Sequence, residues 1–204
     1  MRIGLDLDGT IVDFSKGVFD AYETWYGTEV PASKQQRWDS VWTETVGDMD
    51  TAWSWLREIP GFWVNLAPIK GALGGVLELA RAGHELEIIT NRPEWSRGQT
   101  QAWLVRHWPH SHHGTPLHFV KRKSQVRCDL YIDDSPEVLE ELAEAGRTTM
   151  RFTQPWNRDA EATCRATGWK DVLRLVERMS ADPSQLGDEL ALFDEITDKP
   201  TEVK

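Results

Sequence analysis

Cysteine is scarce: Cys128 and Cys164 are the two thiols in 204 residues. That is too few for a disulfide framework, so a reduced, cytoplasmic setting is the expectation. No apolar run approaches the roughly 20 residues that cross a bilayer. The chain opens on a strand rather than on a basic leader with a cleavable apolar stretch, so neither an anchor nor a signal peptide is expected. Positive charge is also short. Against 33 Asp and Glu stand 23 Lys and Arg, a formal net charge of −10, which argues against long nucleic acid as a partner because that binding relies on basic surfaces. A small anionic substrate stays open if the site brings its own cations. G-x-S-x-G, P-loop and G-x-G-x-x-G patterns are missing too.

What remains is an ordinary globular composition, 40% hydrophobic and 27% charged, enough for one domain with a sizeable insertion. Ile3, Leu5 and Leu7 alternate as a strand. Phe14, Val18, Tyr22 and Trp25 recur at helical spacing up to Gly27, a natural stop. Residues 28–68 are irregular, rich in Trp (Trp38, Trp42, Trp53, Trp55, Trp63) and broken by Pro31, Pro60, Gly61 and Pro68, and read as a mainly helical insertion. Alternation then resumes. A helix at 71–82 precedes strand LEIIT, and a helix at 95–107 precedes strand LHFV. A short helix after Lys123 leads to LYIDD, a helix at 136–145 to TTMRF, and a last helix covers 169–179. Repeated βα units predict an α/β fold, a doubly wound parallel sheet with helices on both faces and right-handed crossovers. The expected division is a core of residues 1–14 and 71–179, a helical cap of 15–70 and an acidic, solvated tail of 180–204.

Ligands of such sheets bind beyond the carboxyl ends of the strands, and there the chemistry-bearing residues gather. In DLDGT, Asp6 and Asp8 would repel one another unless a cation or a reaction sits between them. Asp6 can present a nucleophilic oxygen and Asp8 a proton, while Gly9 allows a sharp turn. In ITNRP, the Thr90 hydroxyl and Asn91 amide can hold a phosphoryl oxygen, with Arg92 as a forked donor. A Thr-Asn pair that only caps the next helix is the plainer reading of that stretch. Lys123 is placed to neutralise a nucleophilic Asp and a phosphoryl group, and the adjacent acids Asp133 and Asp134 call for a hard cation with oxygen ligands. The cluster His107, His110, His112 and His113 lies in a Pro-containing stretch without ordered ligand spacing and reads as an exposed loop.

Taken in order, DLDGT, IITN, Lys123 and IDD resemble the four motifs of the haloacid dehalogenase-like hydrolase superfamily, spread over most of residues 1–135. The second acid of DLD is similar to its phosphatase branch. DGTIVDF, PGFWVNLAPIKGA and the spacing from Lys123 to DLYIDD resemble, more narrowly, the 5′(3′)-deoxyribonucleotidase family. The resemblance implies a Rossmann-like, haloacid dehalogenase-type core with a small helical cap inserted after the first strand. It also implies a magnesium-dependent phosphomonoester hydrolase that works through an aspartyl phosphate on deoxynucleoside monophosphates.

On that resemblance Asp6 is the nucleophile and Asp8 the acid/base, with Mg²⁺ held by Asp6, the Asp8 carbonyl and Asp134. Thr90, Asn91 and Lys123 match the phosphate-binding positions. Phe14, Phe62, Trp63 and Trp38 match aromatics of the substrate pocket. Asn91 replaces an expected Ser. TNRP followed by Thr100, Trp103 and Leu104 is also similar to the phosphatase part of polynucleotide kinases. A polynucleotide 3′-phosphatase and a small sugar-phosphate phosphatase therefore stay open as substrate assignments, as does a non-catalytic Mg²⁺- or nucleotide-binding protein of the same fold. A homodimer stays open as well.

Overall fold

β1 (Arg2–Leu5) has Ile3, Gly4 and Leu5 buried on both its faces, as a central strand of a parallel sheet requires. The computed structural model describes residues 1–30, 47–108 and 114–181. Around β1 lie β2 (Glu85–Thr90), β3 (Leu117–Phe119), β4 (Leu130–Asp133), β5 (Thr149–Phe152) and β6 (Cys164–Ala166). Every pairing is parallel, in the order β3-β2-β1-β4-β5-β6. The order reverses at β1, which is flanked by β2 on one side and β4 on the other, and the crevice outside their carboxyl ends is the switch point.

Six helices accompany the described strands. α1 (Phe14–Tyr26) is started by Asp13, whose side chain accepts from the Lys16 amide, and is stopped by Gly27 at φ +67°. α2 (Met49–Glu58) is capped by Asp48 and α5 (Pro136–Glu144) by Ser135. The others are α3 (Ala72–Arg81), α4 (Arg97–His107) and α6 (Trp169–Ala181). The elements expected from the sequence are present with ends shifted by a few residues. β6 was not expected. Trp38, Trp42, His110, His112, His113 and the acidic tail from 182 onward lie outside the described residues.

The chain leaves the sheet after β1 and comes back beside its own exit. Asp13 N donates to Ala67 O (2.9 Å) and Ile69 N to Ile11 O (2.7 Å). The returning stretch is anchored on α4, where the Trp103 indole donates to Leu66 O (2.8 Å) and the Trp63 amide to the Gln99 side chain (3.1 Å). One hydrophobic cluster runs from Ile3, Leu5 and Leu7 of the sheet to Val18, Ala52 and Leu56 of the excursion. Burial of each such aliphatic side chain contributes about 1.5–3 kcal/mol. The described part of the excursion is therefore packed against the sheet, with Phe14 and Trp53 facing the crevice at its carboxyl edge.

Candidate active site

The tight turn that follows β1 aims both acids of DLD at the crevice. Leu7 O accepts from the Ile11 and Val12 amides at 2.8 and 2.7 Å, so residues 7–12 fold back at once. Gly9 adopts φ +78°, and a β-carbon there would overlap the Asp134 carboxylate. Glycine is thus required twice, for its backbone conformation and for the close approach of a second acid.

Asp6, Asp133 and Asp134 meet at the ends of β1 and β4, all buried, with one carboxylate oxygen from each within 4.8 Å of the others. Lys123, itself 3% exposed, donates to Asp6 Oδ1 and, at 2.7 Å, to Asp133 Oδ2. The other Asp133 oxygen accepts from Ser135 N (3.0 Å). Asp134 Oδ2 accepts from the Trp156 indole (3.0 Å). Among the described residues, Asp6 Oδ2 and Asp134 Oδ1 accept no hydrogen bond, and both residues belong to the acidic cluster.

Three buried acids with one ammonium leave a deficit of positive charge. Burial lifts the Asp6 carboxyl to about 7 despite Lys123, and Asp133 and Asp8 add to the rise. Burial likewise raises Asp134 well above the carboxylate range, with Asp6 and Asp133 adding to it. For Lys123 burial favours the neutral amine, but Asp133 and Asp6 outweigh it and hold the ammonium charged.

The carboxyl end of β2 supplies the next wall. Thr90 is buried, and its hydroxyl accepts from the Arg92 amide (3.1 Å). Asn91 is exposed at the rim, its side chain donating to Lys121 O (3.4 Å). Arg92, expected as a donor to a phosphoryl oxygen, is directed to Asp8: Nε and Nη2 reach the two Asp8 oxygens at 2.7 and 2.6 Å. A cavity of about 390 Å³ is lined by Asp6, Asp8, Thr90, Asn91, Arg92, Lys123 and Asp134, with Phe14, Trp53 and Trp156 as its aromatic wall.

The aromatics divide differently from the expectation. Phe14 lines the cavity. Phe62 and Trp63, expected there too, are 5% and 0% exposed and lie behind it. Trp63 stacks on Phe14 at 5.3 Å and on Trp53 at 6.1 Å, while Phe62 meets Phe14 edge-on at 5.9 Å. The wall needs a backing layer, and the two residues that follow Gly61 provide it. Trp53 takes the facing position instead.

The loop after β5 was not read as part of the site. Besides Trp156, Gln154 donates from Nε2 to Gly9 O (2.6 Å), and Asn157 from Nδ2 to Asp134 O (2.7 Å) and Phe152 O (2.8 Å). These side chains tie both acidic turns together. No local pattern marks them in the sequence beyond their following a strand of the parallel sheet.

Comparison with known proteins bears on the family and the fold. A family model for "5' nucleotidase, deoxy (Pyrimidine), cytosolic type C protein" matches residues 1–182. A Chlorobaculum tepidum protein, provisionally named a 5′(3′)-deoxyribonucleotidase, is 30% identical over 86% of this chain and 89% of its own. The human cytosolic-type 5′(3′)-deoxyribonucleotidase is 26% identical over 68% of this chain and 72% of its own. Among solved structures, a haloacid dehalogenase-family hydrolase from Deinococcus radiodurans, crystallised with phosphate and sodium, superimposes with a TM-score of 0.62. It covers 88% of this chain and 96% of its own at 16% identity, a likeness of fold. With its six-stranded parallel sheet and the match over residues 1–182, the chain belongs to the cytosolic type C 5′-nucleotidase family, phosphatases of the haloacid dehalogenase-like superfamily.

Proposed function

We propose that this protein is a magnesium-dependent phosphatase that releases phosphate from deoxynucleoside monophosphates through an aspartyl phosphate on Asp6. The observation that carries the reading is the convergence of Asp6, Asp8, Asp134, Thr90 and Lys123 on one 390 Å³ cavity walled by Phe14, Trp53 and Trp156. Its size and its aromatic wall suit a nucleoside.

The donor set fits a hard divalent ion: buried carboxylates within 4.8 Å of each other, with oxygens of Asp6 and Asp134 not engaged by other described side chains. Asp6, Asp134 and the Asp8 carbonyl would hold it, with Asp133 tied instead to Lys123. Bound there, magnesium supplies positive charge against the phosphoryl oxygens.

Asp6 attacks phosphorus in line. Its oxygen bonds to phosphorus as the ester bond breaks, and Asp8 hands its proton to the departing alkoxide, which leaves as the alcohol. In the second step Asp8 takes a proton from water as the water oxygen bonds to phosphorus and Asp6 departs as carboxylate. Lys123 and Thr90 hold the phosphoryl oxygens in both steps. The excursion between β1 and α3 acts as the cap that keeps bulk water out. The buried free thiols Cys128 and Cys164 support a reducing, cytoplasmic setting.

The test is phosphate release with Mg²⁺ from a panel of 5′- and 3′-deoxynucleotides, ribonucleotides, sugar phosphates and an oligonucleotide 3′-phosphate. Preference for the deoxynucleotides is expected, and Asp6→Asn should show no turnover above background. Turnover in a clean Asp6→Asn preparation would overturn the mechanism. Preference for another member of the panel would overturn the substrate class and leave the catalytic centre standing.

A further inference from the structure

Every arm of the Arg92 guanidinium is engaged by the protein. Two nitrogens hold the two oxygens of Asp8, and Nη1 donates to Thr100 Oγ1 (3.0 Å) on α4. The flat face lies over the Trp63 ring, 4.5 Å from its centroid. The side chain is 1% exposed, and Thr100 and Trp63 are fully buried. A residue meant to grip a mobile phosphate would keep donors turned toward the cavity. Here they are turned toward a carboxylate.

We propose that Arg92 is a positioning residue for proton transfer at the leaving oxygen, acting through Asp8 and not on the phosphoryl group. This rests on the phosphatase reading above. An Asp side chain has two soft torsions, and a planar fork gripping both oxygens sets both of them. The fork in turn cannot follow Asp8, because Thr100 holds it from behind and Trp63 holds it from one face. One edge of the carboxyl is occupied, so the proton it exchanges lies on the opposite edge, toward the cavity that Asp8 lines. Proton transfer demands alignment at hydrogen-bonding distance, and misplacement of about 1 Å costs on the order of 100-fold. The same Trp63 backs Phe14 and Trp53, so Arg92 also couples the placement of the acid to the wall of the cavity.

The experiment compares leaving groups on the full chain with Mg²⁺. From a deoxynucleoside monophosphate the nucleoside departs as an alkoxide that needs the proton, whereas p-nitrophenyl phosphate releases a stable phenolate that does not. Hydrolysis of the aspartyl phosphate is common to both esters, so the readout is single-turnover release of the leaving group: Arg92→Ala should slow it about 100-fold on the deoxynucleotide and less than about tenfold on p-nitrophenyl phosphate, with KM little changed. Asp8→Asn should show the same selectivity. Added guanidinium ion should restore part of the loss, and Arg92→Lys, which keeps the charge without the fork, should stay impaired on the deoxynucleotide alone.

Equal losses on both esters with a raised KM would overturn the proposal and make Arg92 a phosphoryl donor. If Arg92→Ala does not fold, Thr100→Val decides the matter: a smaller loss with the same selectivity supports the proposal, and an unselective or absent loss overturns it. A wild-type protein inactive on every ester would overturn the phosphatase reading itself, a result distinct from equal losses.

Discussion

Glu141 lies outside the cavity, yet it holds the short helical turn that carries Lys123. Its carboxylate accepts from the Lys123 amide (3.1 Å), the Ser124 amide (3.2 Å) and the Ser124 hydroxyl. Burial acts to raise its pKa, but these hydrogen bonds from Ser124 and Lys123 outweigh it and hold the group below its ordinary value of 4.5. A depressed carboxylate contributes stability that is present above the unfolded value and is lost as pH falls through the folded one. Glu141→Ala should therefore cost about 1–2 kcal/mol at pH 7 and lower kcat by loosening Lys123. The gap in Tm between the two proteins should narrow once pH drops below the 4.5 of a free carboxylate. A gap that stays constant with pH would show that the carboxylate charge is not what holds the turn. Residues of this kind are hard to see in a sequence. Asp6, Asp8, Lys123, Asp133 and Asp134 stand out because acids and a lysine at strand ends are costly without a task. Glu141 on an amphipathic helix looks like any solvated acid, and Gln154, Trp156 and Asn157 look like any loop.

α1 and α2 act as a pair, each placing one aromatic on the cavity, Phe14 from the first turn of α1 and Trp53 from the middle of α2. Behind them Trp63 stacks on both rings. The facing and backing layers should respond differently to truncation. Trp53→Ala should raise KM for a deoxynucleotide roughly tenfold, the value of one base–aromatic stack, while leaving KM for glycerol phosphate and the Tm nearly unchanged. Trp63→Ala should instead cost about 3–5 kcal/mol of stability, read as a large fall in Tm. An unchanged KM in Trp53→Ala would remove the nucleobase from that wall. α1 was legible from its spacing down to its end at Gly27, whereas α2 was legible only as part of a mainly helical insertion. Which aromatic faces inward was not, because a Trp-rich stretch with irregular breaks has no period from which a face can be read. β6 escaped for another reason: Cys164–Ala166 reads CRA, with no β-branched or aromatic residue to mark a strand, whereas the equally short edge strand β3 stands in LHFV.

At the scale of the whole molecule, an acidic chain has to admit an anionic ester. The formal charge is −10, and the cavity repeats the imbalance, with Asp6, Asp8, Asp133, Asp134 and Glu137 against Lys123 and Arg92. Both cations are already paired with carboxylates. The parallel order of the strands explains how this arises: β1 and β4 are neighbours, so two pairs of acids far apart in sequence end side by side. The sequence shows the pairs, and the alternation of strands and helices predicts the sheet that joins them. The cost of joining them becomes measurable without substrate. Mg²⁺ at about 100 times its Kd should stabilise the fold by about 2.7 kcal/mol, a rise in Tm of several degrees over the protein in EDTA, whereas Na⁺ at equal ionic strength should do much less. Asp134→Asn removes one buried negative charge while its side-chain oxygen can still accept from the Trp156 indole. That variant should melt higher than the wild type in EDTA and lose most of the response to Mg²⁺. A wild-type Tm indifferent to Mg²⁺, or an Asp134→Asn protein less stable than the wild type in EDTA, would mean that the acids are held by the fold alone and that the cluster is not a cation site.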